Sequence, residues 1–442
     1  MANPAVKTIV ILMQENRSFD HMLGYRSLPP WNRPAVDGLQ ADPAWQQRYG
    51  NPGAGGTYLA SRLPDPSVVL PGDPVHDRPA IAVQLGTPAS GVFPMTGFVQ
   101  SCPTLDPVTN QPVVMGYFDG NELPTTHFFA ENYVICDRWF ASLPASTQPN
   151  RLMLMAGESL IDNNKDLLPS QPLVYNWLRQ HNVRWRVYHE SLPFFSLMPE
   201  WVPEILLDDN FREFNRIFAD IQNEADATFP QVIFIEPRFT DAPHLEVPND
   251  DHAPSALSPG QDFLAQAYAA VTSNPDRWRG TVFLVMYDEH GGFFDHVSPP
   301  AVATPPPAGA TYAPFASLGA RVPGFVISPL VVAGAVYSGI LDHTSVLKFI
   351  ADTFAGGSYS PAVDSRPVDS ISGVLVTLQP PGGVRTDLPV PPAVAVGFGP
   401  EANPTPADAN LTPMGFSHAL DNLRAHDRGG TSQKFPKLVK RF

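Results

Sequence analysis

The chain has 442 residues, of which 43% are hydrophobic and 10% aromatic, so a large folded core is expected and wholesale disorder is not indicated. It carries 28 Lys and Arg against 43 Asp and Glu, which gives a formal net charge of −15. An acidic surface of this size repels phosphate backbones, which argues against a nucleic-acid-binding protein and requires a local cationic pocket for any anionic substrate.

The first element follows closely on the amino terminus. Residues 8–13, an apolar or β-branched run, lead directly into the polar residues Glu15, Asn16 and His21. The run is shorter than the ~20 apolar residues of a membrane helix, and it lacks the basic region and cleavage site of a signal peptide. We therefore expect a buried strand, in a protein that is either cytoplasmic or the mature or truncated form of an exported one.

Short apolar runs without alternation predict strands that are buried on both faces. These runs are residues 8–13, 231–237, 281–289 and 321–328. Helical patterns lie between them, over residues 172–181, 260–274 and 342–354. The alternation indicates an α/β protein, a three-layer α/β/α sandwich around one central, mostly parallel sheet. We expect residues 1–378 to form this domain and residues 379–442 to form a loop-rich extension packed on it.

Proline and cysteine contents are also informative. The 51 prolines are roughly twice the average share, which indicates long ordered loops around a compact centre. Cys102 and Cys136 are too few for a disulfide framework and have no metal-binding spacing. The sequence is compatible both with one disulfide bond between these two cysteines and with two free thiols.

Acidic and amide side chains stand at the carboxyl ends of two of the predicted strands, where the active site of a parallel sheet is expected. Glu15 and Asn16 offer a carboxylate and an amide oxygen, which are suitable ligands for a divalent cation. Asp288 and Glu289 end a strongly apolar run, and buried acidic groups need a metal or ion pairs. Each pair alone could be an ordinary loop or a salt-bridged strand end, but two such pairs favour one shared cation.

Hydroxyl and imidazole groups supply the remaining chemistry. Thr147 precedes a helical stretch, where free N–H groups favour an attached phosphoryl anion, so it is a candidate nucleophile. Helix capping by Ser146 and Thr147 is the structural alternative. Among the histidines, which can protonate a leaving alcohol near neutral pH, the candidates are His76, His189 and His252. We expect a structural role for His21, and the roles of three others stay open: His290, His296 and His343.

Five sequence blocks carry a resemblance to a known family. "ENRSFDHMLG", "STQPNR", "YDEHGGFFDHV", "RVPGFVISP" and "DHTSVLKFI" occur in an order and spacing that resemble the phosphoesterase family, over residues 9–354. That family contains bacterial and plant non-specific phospholipases C and a respiratory-burst-inhibiting acid phosphatase, within the alkaline-phosphatase-like superfamily. The resemblance implies an alkaline-phosphatase-like fold and a covalent phosphoryl-enzyme mechanism.

The resemblance also implies roles for individual residues. One divalent metal ion (Ca, Zn, Mn or Fe) would be held by Glu15, Asn16, Thr147, Asp288 and Glu289. Thr147 would be the nucleophile, and the phosphoryl group would be surrounded by the amide of Asn16 and by His76, His189 and His252.

The favoured function is that of a phospholipase C, which cleaves a phospholipid to diacylglycerol and a phosphorylated head group, because Thr147 stands where the acid phosphatase has Ser. An acid phosphatase acting on phosphomonoesters and a catalytically inactive binding protein are the alternatives. The expected partners are a phospholipid or small phosphoester, without nucleic acid, and with transient contact to a membrane surface. The aromatic residues 192–201 either meet lipid or pack in the core. The sequence does not indicate an oligomeric state.

Overall fold

The computed structural model describes residues 5–63, 65, 70–165, 167–240, 242 and 247–396. The strands assigned in these residues are β1 (Thr8–Gln14), β2 (Asn51–Gly53), β3 (Gly56–Tyr58), β4 (Ser61–Arg62), β5 (Gly116–Tyr117), β6 (Val134–Cys136), β7 (Trp185–His189), β8 (Phe211–Glu213), β9 (Val232–Glu236), β10 (Thr281–Tyr287), β11 (Gly324–Ile327) and β12 (Val336–Tyr337).

The α-helices assigned in the same part of the chain are α1 (Phe19–Leu23), α2 (Pro43–Arg48), α3 (Arg78–Leu85), α4 (Phe98–Ser101), α5 (Pro124–Asn132), α6 (Thr147–Ala156), α7 (Val174–Gln180), α8 (Val202–Leu207), α9 (Ile217–Asn223), α10 (Ser258–Thr272), α11 (Pro275–Trp278), α12 (Thr344–Phe354), α13 (Pro361–Asp364) and α14 (Ile371–Thr377). Short 3-10 helices span Gly24–Ser27, Val113–Met115, Phe194–Leu197, Pro199–Trp201 and Phe214–Arg216.

Eight strands form one central sheet in the order β12-β6-β11-β10-β1-β9-β7-β8. β11 runs antiparallel to both of its neighbours, whereas the remaining pairs in this sheet are parallel. β1 lies between β10 and β9, and all seven of its residues are buried, as an uninterrupted apolar run requires. The predicted mostly parallel sheet is confirmed.

Helices cover both faces of this sheet. Phe325 of β11 contacts Phe129 of α5, and α5 packs on α10. Phe234 of β9 contacts Tyr175 of α7. Phe234 lies opposite Ile11 in the strand register, whereas Phe325 belongs to the neighbouring row, and neighbouring rows point to opposite faces. The two contacts therefore lie on opposite sides of the sheet, and the three-layer α/β/α sandwich is confirmed.

Three predicted strands are shorter in the structure than in the sequence pattern, and β9 loses one residue at each end. β10 ends at Tyr287, so Asp288 and Glu289 follow the strand rather than belong to it. β11 begins only at Gly324, because Pro323 has no N–H to donate to a ladder.

Two residues of the segment 379–396 form hydrogen bonds with residues that precede it. Arg385 N donates to Pro329 O at 2.8 Å, and the Tyr268 hydroxyl donates to Pro389 O at 2.7 Å. Residues 397–442 of the predicted extension lie outside the described residues, and the division of the chain at residue 379 stays a prediction.

Two open questions from the sequence have answers in the structure. Cys102 and Cys136 are both buried and free. Aromatic residues of the segment 192–201 are buried, among them Phe194, Phe195 and Trp201, so this segment packs in the core and does not face a lipid. Within the described residues, we find no helix of the length and apolar character that crossing a membrane requires.

Candidate active site

The two polar pairs predicted to cooperate do meet, because β1 and β10 are adjacent and parallel. Asn16 N donates to Asp288 Oδ1 at 2.9 Å, which ties the two strand ends together. Asn16 adopts a left-handed backbone with φ 59°, a conformation that Asn tolerates better than most residues. Gly291, with φ 63°, passes so close that a Cβ there would lie 2.0 Å from Asn16 O. Glycine is therefore required at this turn.

Thr147 enters the same place from the first position of α6. Its Oγ1 donates to Asn16 Oδ1 at 3.2 Å, and its side chain is buried. The Asn16 amide atom that faces Thr147 also lies 2.8 Å from Glu289 Oε1 and 3.2 Å from Asp288 Oδ1. Four of the five predicted metal-binding residues thus converge on one point.

Arg151 holds the fifth residue, Glu15, near this point. One guanidinium nitrogen of Arg151 lies 3.1 Å from Glu15 Oε1, and Nε lies 3.4 Å from Asp288 Oδ2. The guanidinium stacks against Phe194 and Phe239, at 5.0 Å from each ring centroid. Arg151 follows Thr147 by four residues, which is one turn of α6, so one helix carries both the hydroxyl and the cation that bridges the two acidic pairs.

Two of the three predicted histidines lie beside the cluster. His76 Nε2 is 3.4 Å from Asn16 Nδ2 and 3.9 Å from Glu289 Oε1. His252 Nδ1 is 3.1 Å from Glu15 Oε2. Asp73 lies between the two imidazoles, at 3.8 Å from His76 Nδ1 and 3.4 Å from His252 Nε2.

His189 stands apart from these residues. It is the last residue of β7, which is separated from β1 by β9, and two strand spacings amount to ~10 Å. Its Nδ1 donates to Ser191 O at 2.7 Å. A role for His189 near the phosphoryl group stays a prediction.

Burial dominates the electrostatics of the cluster. Desolvation raises the pKa of Glu15 to about 8, against the opposing charge of Arg151. Desolvation likewise raises the pKa of Glu289 to about 8, although His76 opposes the shift. Burial alone would lower the pKa of His252, but Asp73 and Glu15 raise it well above its ordinary value.

Three buried carboxylate oxygens of the cluster lie beside cationic side chains but lack directed hydrogen bonds. Both carboxylate oxygens of Glu15 and Oδ2 of Asp288 are buried and accept no directed hydrogen bond from the described residues. If the Asn16 amide is turned by 180°, its NH₂ donates to the oxygens of Glu289, Asp288 and Thr147, and its oxygen accepts from His252 Nε2 at 2.7 Å. In the other orientation three oxygens face the amide oxygen, and such hard oxygen donors fit a divalent cation.

Next to this point, two further groups of acidic and imidazole side chains could hold a metal ion, because the ligand atoms in each group lie within 4.8 Å of one another. Two such groups share His252: Asp73 with His76, and Glu15 with Asp250. The predicted set of Glu15, Asn16, Thr147, Asp288 and Glu289 is a different combination, linked through Asn16 and Arg151 as described above.

The helix start around Thr147 differs in one respect from the expectation. Ser146 occupies the N-cap position, but its side chain does not cap the helix and instead donates to Asn163 Oδ1 at 3.3 Å. Gln148 N donates to Asn164 Oδ1 at 2.9 Å, and Pro149 has no N–H. Two of the expected free N–H groups are therefore absent, and the helix amides contribute less to anion binding than the sequence indicates.

Three further histidines, His21, His290 and His343, form hydrogen bonds with residues around the site. His21 Nδ1 donates to Gly116 O at 2.7 Å, and the structural role expected for it stays a prediction. His343 Nε2 donates to Asp288 O at 2.6 Å. His290 lies 2.8 Å from Gln84 Oε1, and burial lowers the pKa of His290 to about 4.

His296 belongs to a buried network of charged side chains in which Arg321 pairs with the acidic residues. Its Nδ1 lies 2.7 Å from Asp20 and its Nε2 lies 3.1 Å from Asp37. Arg321 pairs with Asp20 at 3.1 Å and with Asp295 at 2.9 Å. Since the guanidinium already occupies the centre of these acids, the network is an ion-pair cluster.

The protonation of His296 should make stability depend on pH. Burial alone would lower its pKa, but Asp20 and the hydrogen bond to Asp37 raise it to about 9, from 6.5 in the unfolded chain. A raised pKa stabilises the fold below pH 6.5, and this contribution is lost as the pH rises to 9. We expect the loss to reach roughly 3 kcal/mol in the free energy of unfolding.

Urea unfolding at pH 6.5 and pH 9 measures this effect. His296→Gln should remove this part of the pH dependence, whereas His181→Gln, at an exposed position, should retain it. The difference between the unchanged protein and His296→Gln isolates this group from the other titrating residues. An equal pH dependence in both would contradict the assignment.

Three residues of the site were missed from the sequence. Asp73 stands three residues before His76, and Asp250 two residues before His252, so the spacing to a candidate histidine was the available signal. Arg151 ends the block "STQPNR", one helical turn after Thr147.

Comparisons with known proteins show a relationship that extends over most of the chain. The sequence profile of the "Phosphoesterase family" matches residues 6–355. Non-specific phospholipase C3 of Arabidopsis thaliana is 34% identical over 87% of this chain and 75% of its own length. Phospholipase C B of Mycobacterium tuberculosis (strain CDC 1551 / Oshkosh) is 28% identical over 79% of this chain and 73% of its own length. The chain spans only 62% to 66% of four further Arabidopsis non-specific phospholipases C.

Solved structures show a weaker likeness. The phosphonate monoester hydrolase SpPMH from Silicibacter pomeroyi is 12% identical, with a TM-score of 0.37 over 59% of this chain and 73% of that chain. The family assignment comes from the profile and from the plant relative. This chain belongs to the phosphoesterase family and is a phosphoric ester hydrolase.

Proposed function

We propose that this chain is a metal-dependent phospholipase C that acts through a phospho-threonine intermediate on Thr147. The observation that carries the proposal is the convergence of the buried Thr147 hydroxyl with Asn16, Asp288 and Glu289 at the carboxyl ends of β1 and β10. An activated hydroxyl next to a set of hard oxygen ligands is the arrangement that phosphoryl transfer to an enzyme residue requires.

The cation would be held by Glu15, Asn16, Thr147, Asp288 and Glu289. When bound, a divalent cation lowers the pKa of a neighbouring hydroxyl and offsets negative charge on the transferring phosphoryl group. The buried oxygens of Glu15 and Asp288 that lack a directed hydrogen bond support this ligand set.

The chain's own residues supply the rest of the reaction. The Thr147 hydroxyl gives up its proton to solvent, its oxygen attacks phosphorus in line, and the bond from phosphorus to the leaving alcohol oxygen breaks. His76 donates from Nδ1 to Pro74 O at 2.7 Å, so its Nε2 is the nitrogen that can give a proton to the departing alcohol. The same Nε2 then takes a proton from the water that cleaves phospho-Thr147. His252, which is flanked by Glu15 and Asp73, supplies positive charge near the phosphoryl oxygens.

The phospholipid substrate is supported by the relatives, which are named phospholipases C. A substrate panel tests it: phosphatidylcholine, other phospholipids and small phosphomonoesters are compared at matched pH. We expect release of a phosphorylated head group and diacylglycerol at a higher kcat/KM than release of phosphate from any monoester. Asp288→Asn, purified identically, controls for contaminating esterases. Faster turnover of phosphomonoesters would instead favour an acid phosphatase, and no turnover of either class would indicate an inactive binding protein.

Metal content can be measured without any assay of activity. We expect elemental analysis to find one divalent ion per chain in the unchanged protein and most of it lost in Asp288→Asn, because this change removes an anionic ligand. Glu236→Gln is the matched control. Glu236 is also a buried carboxylate at this edge of the sheet, but it accepts from Phe194 N at 2.8 Å instead of joining the cluster.

The control variant should keep its ion. Full metal content in Asp288→Asn, or no ion in the unchanged protein after incubation with Ca, Zn, Mn and Fe in turn, would contradict the proposed ligand set.

A further inference from the structure

Two long stretches of the chain carry no charge. Residues 79–105 and residues 297–320 contain no Asp, Glu, Lys, Arg or His, although charged residues make up 16% of the chain. Many of their residues are exposed to solvent, including most of residues 86–94 and more than half of residues 301–314. Exposed segments of an acidic protein are normally rich in charge, so these two stretches need a separate explanation.

The two stretches pack against each other. Phe93 N donates to Ser298 Oγ at 2.9 Å. Arg78, which precedes the first stretch, donates to Ala313 O at 2.8 Å and Pro314 O at 3.1 Å of the second. Both stretches line one groove of about 790 Å³ through Val92 and Val297, and Asp37 and Arg48 of another segment line its remaining side. We call the exposed surface of residues 79–105 and 297–320 the uncharged rim.

The uncharged rim presents large apolar side chains to solvent. Val83 is 41% exposed, Val92 56% and Leu105 39%. The segments that carry these three side chains pack on one small hydrophobic core, which includes Ile81 and Phe98. The segments that carry these side chains therefore share one core that supports them.

The uncharged rim borders the candidate active site. Gln84 of α3 donates to Val75 O at 2.7 Å, next to His76, and its Oε1 lies 2.8 Å from His290 Nε2. The first stretch begins three residues after His76, and the second begins eight residues after Glu289. Both stretches thus continue directly from loops that carry proposed catalytic groups.

We propose that the uncharged rim is the face with which the protein lies on a layer of zwitterionic phospholipid. The identity of this partner rests on the proposed function, since a phospholipase C must reach a head group that is anchored in a lipid layer. Because of the net charge of −15, most of the protein surface repels lipid phosphates. The uncharged rim can contact the lipid layer without the free-energy cost of desolvating charged side chains. Exposed valine and leucine side chains gain free energy when they enter the interface.

Binding to phosphatidylcholine vesicles tests the proposal on the full chain. Thr147→Ala is used as the parent, so that lipid is not consumed during vesicle flotation. We expect Val83→Asp/Val92→Asp to weaken binding by at least about tenfold, because each carboxylate must stay hydrated at the interface. Leu207→Asp/Val376→Asp is the matched control, since these side chains are 82% and 69% exposed elsewhere on the protein and gain the same charge.

Hydrolysis is then measured with proteins that retain Thr147. Val83→Asp/Val92→Asp should hydrolyse a monomeric short-chain phosphatidylcholine at the unchanged rate and vesicle lipid at least about tenfold more slowly. No vesicle binding by the parent, or equal losses in the rim and control variants, would overturn the proposal. Rim-dependent binding without any lipid hydrolysis would refute the proposed function and leave the membrane face standing.

Discussion

Thr147→Ala is expected to lower kcat for phosphoester hydrolysis by at least about 1,000-fold, because it removes the only atom of this residue that can carry the phosphoryl group. The change deletes a buried hydroxyl that contacts Asn16 Oδ1 at 3.2 Å, and the residue remains compatible with the first turn of α6. Steady-state kinetics on the preferred ester, with the fold checked by circular dichroism, measure the effect.

Ser146→Ala is the control for this prediction. Ser146 is the neighbouring hydroxyl residue, and it donates to Asn163 rather than to Asn16. Its removal should leave kcat within a few-fold of the original value, since surrounding groups without a role in bond-making contribute little to the transition state. Thr147→Ser should retain most of the activity because it keeps the oxygen. A large loss of kcat in Ser146→Ala, together with an active Thr147→Ala, would show that Ser146 and not Thr147 is the nucleophile.

The second large effect concerns stability. We expect Arg151→Met to lower the free energy of unfolding of the metal-free protein by about 3–5 kcal/mol, since breaking a buried ion pair leaves uncompensated charge. Arg151 lies close to carboxylates of both Glu15 and Asp288, and it also donates to Met13 O at 3.2 Å. Methionine retains the packing between Phe194 and Phe239 but supplies no positive charge.

Denaturant unfolding with and without bound metal measures this effect. Arg179→Met is the control, because Arg179 forms an ion pair with Glu204 at the surface, with 42% of its side chain exposed, and such pairs contribute at most about 1 kcal/mol. Added metal should recover part of the loss in Arg151→Met by supplying the missing positive charge. Equal stability losses in the two variants would show that Arg151 does not compensate the acidic cluster.

Much of the fold could be predicted because its strands are buried on both faces. Uninterrupted apolar runs such as β1 have few alternatives to a central position in a parallel sheet. Four strands of the sheet were not predicted. The edge strands β8 and β12 are short and partly exposed, so they carry no such pattern. The inner strand β6 has only three residues, and Arg186 and His189 interrupt the apolar pattern of β7. The direction of β11 was also not predictable, since the pattern of buried residues is the same in parallel and antiparallel strands.

The site was predictable where chemistry and position coincide. Glu15, Asn16, Asp288 and Glu289 follow buried strands, and polar groups there require an explanation. Asp73 lies in a loop without such context, and only the folded chain brings it between two imidazoles. Long-range contacts of this kind depend on loop paths that local sequence does not determine.

The stereochemical course at phosphorus tests the central claim, that the phosphoryl group passes through an enzyme residue. Each in-line displacement inverts the configuration at phosphorus. With a phosphodiester made chiral by sulfur and isotopic oxygen, two successive displacements, first by Thr147 and then by water, predict overall retention in the phosphorylated head group. Inversion would show that water attacks the substrate directly and would contradict a phospho-threonine intermediate.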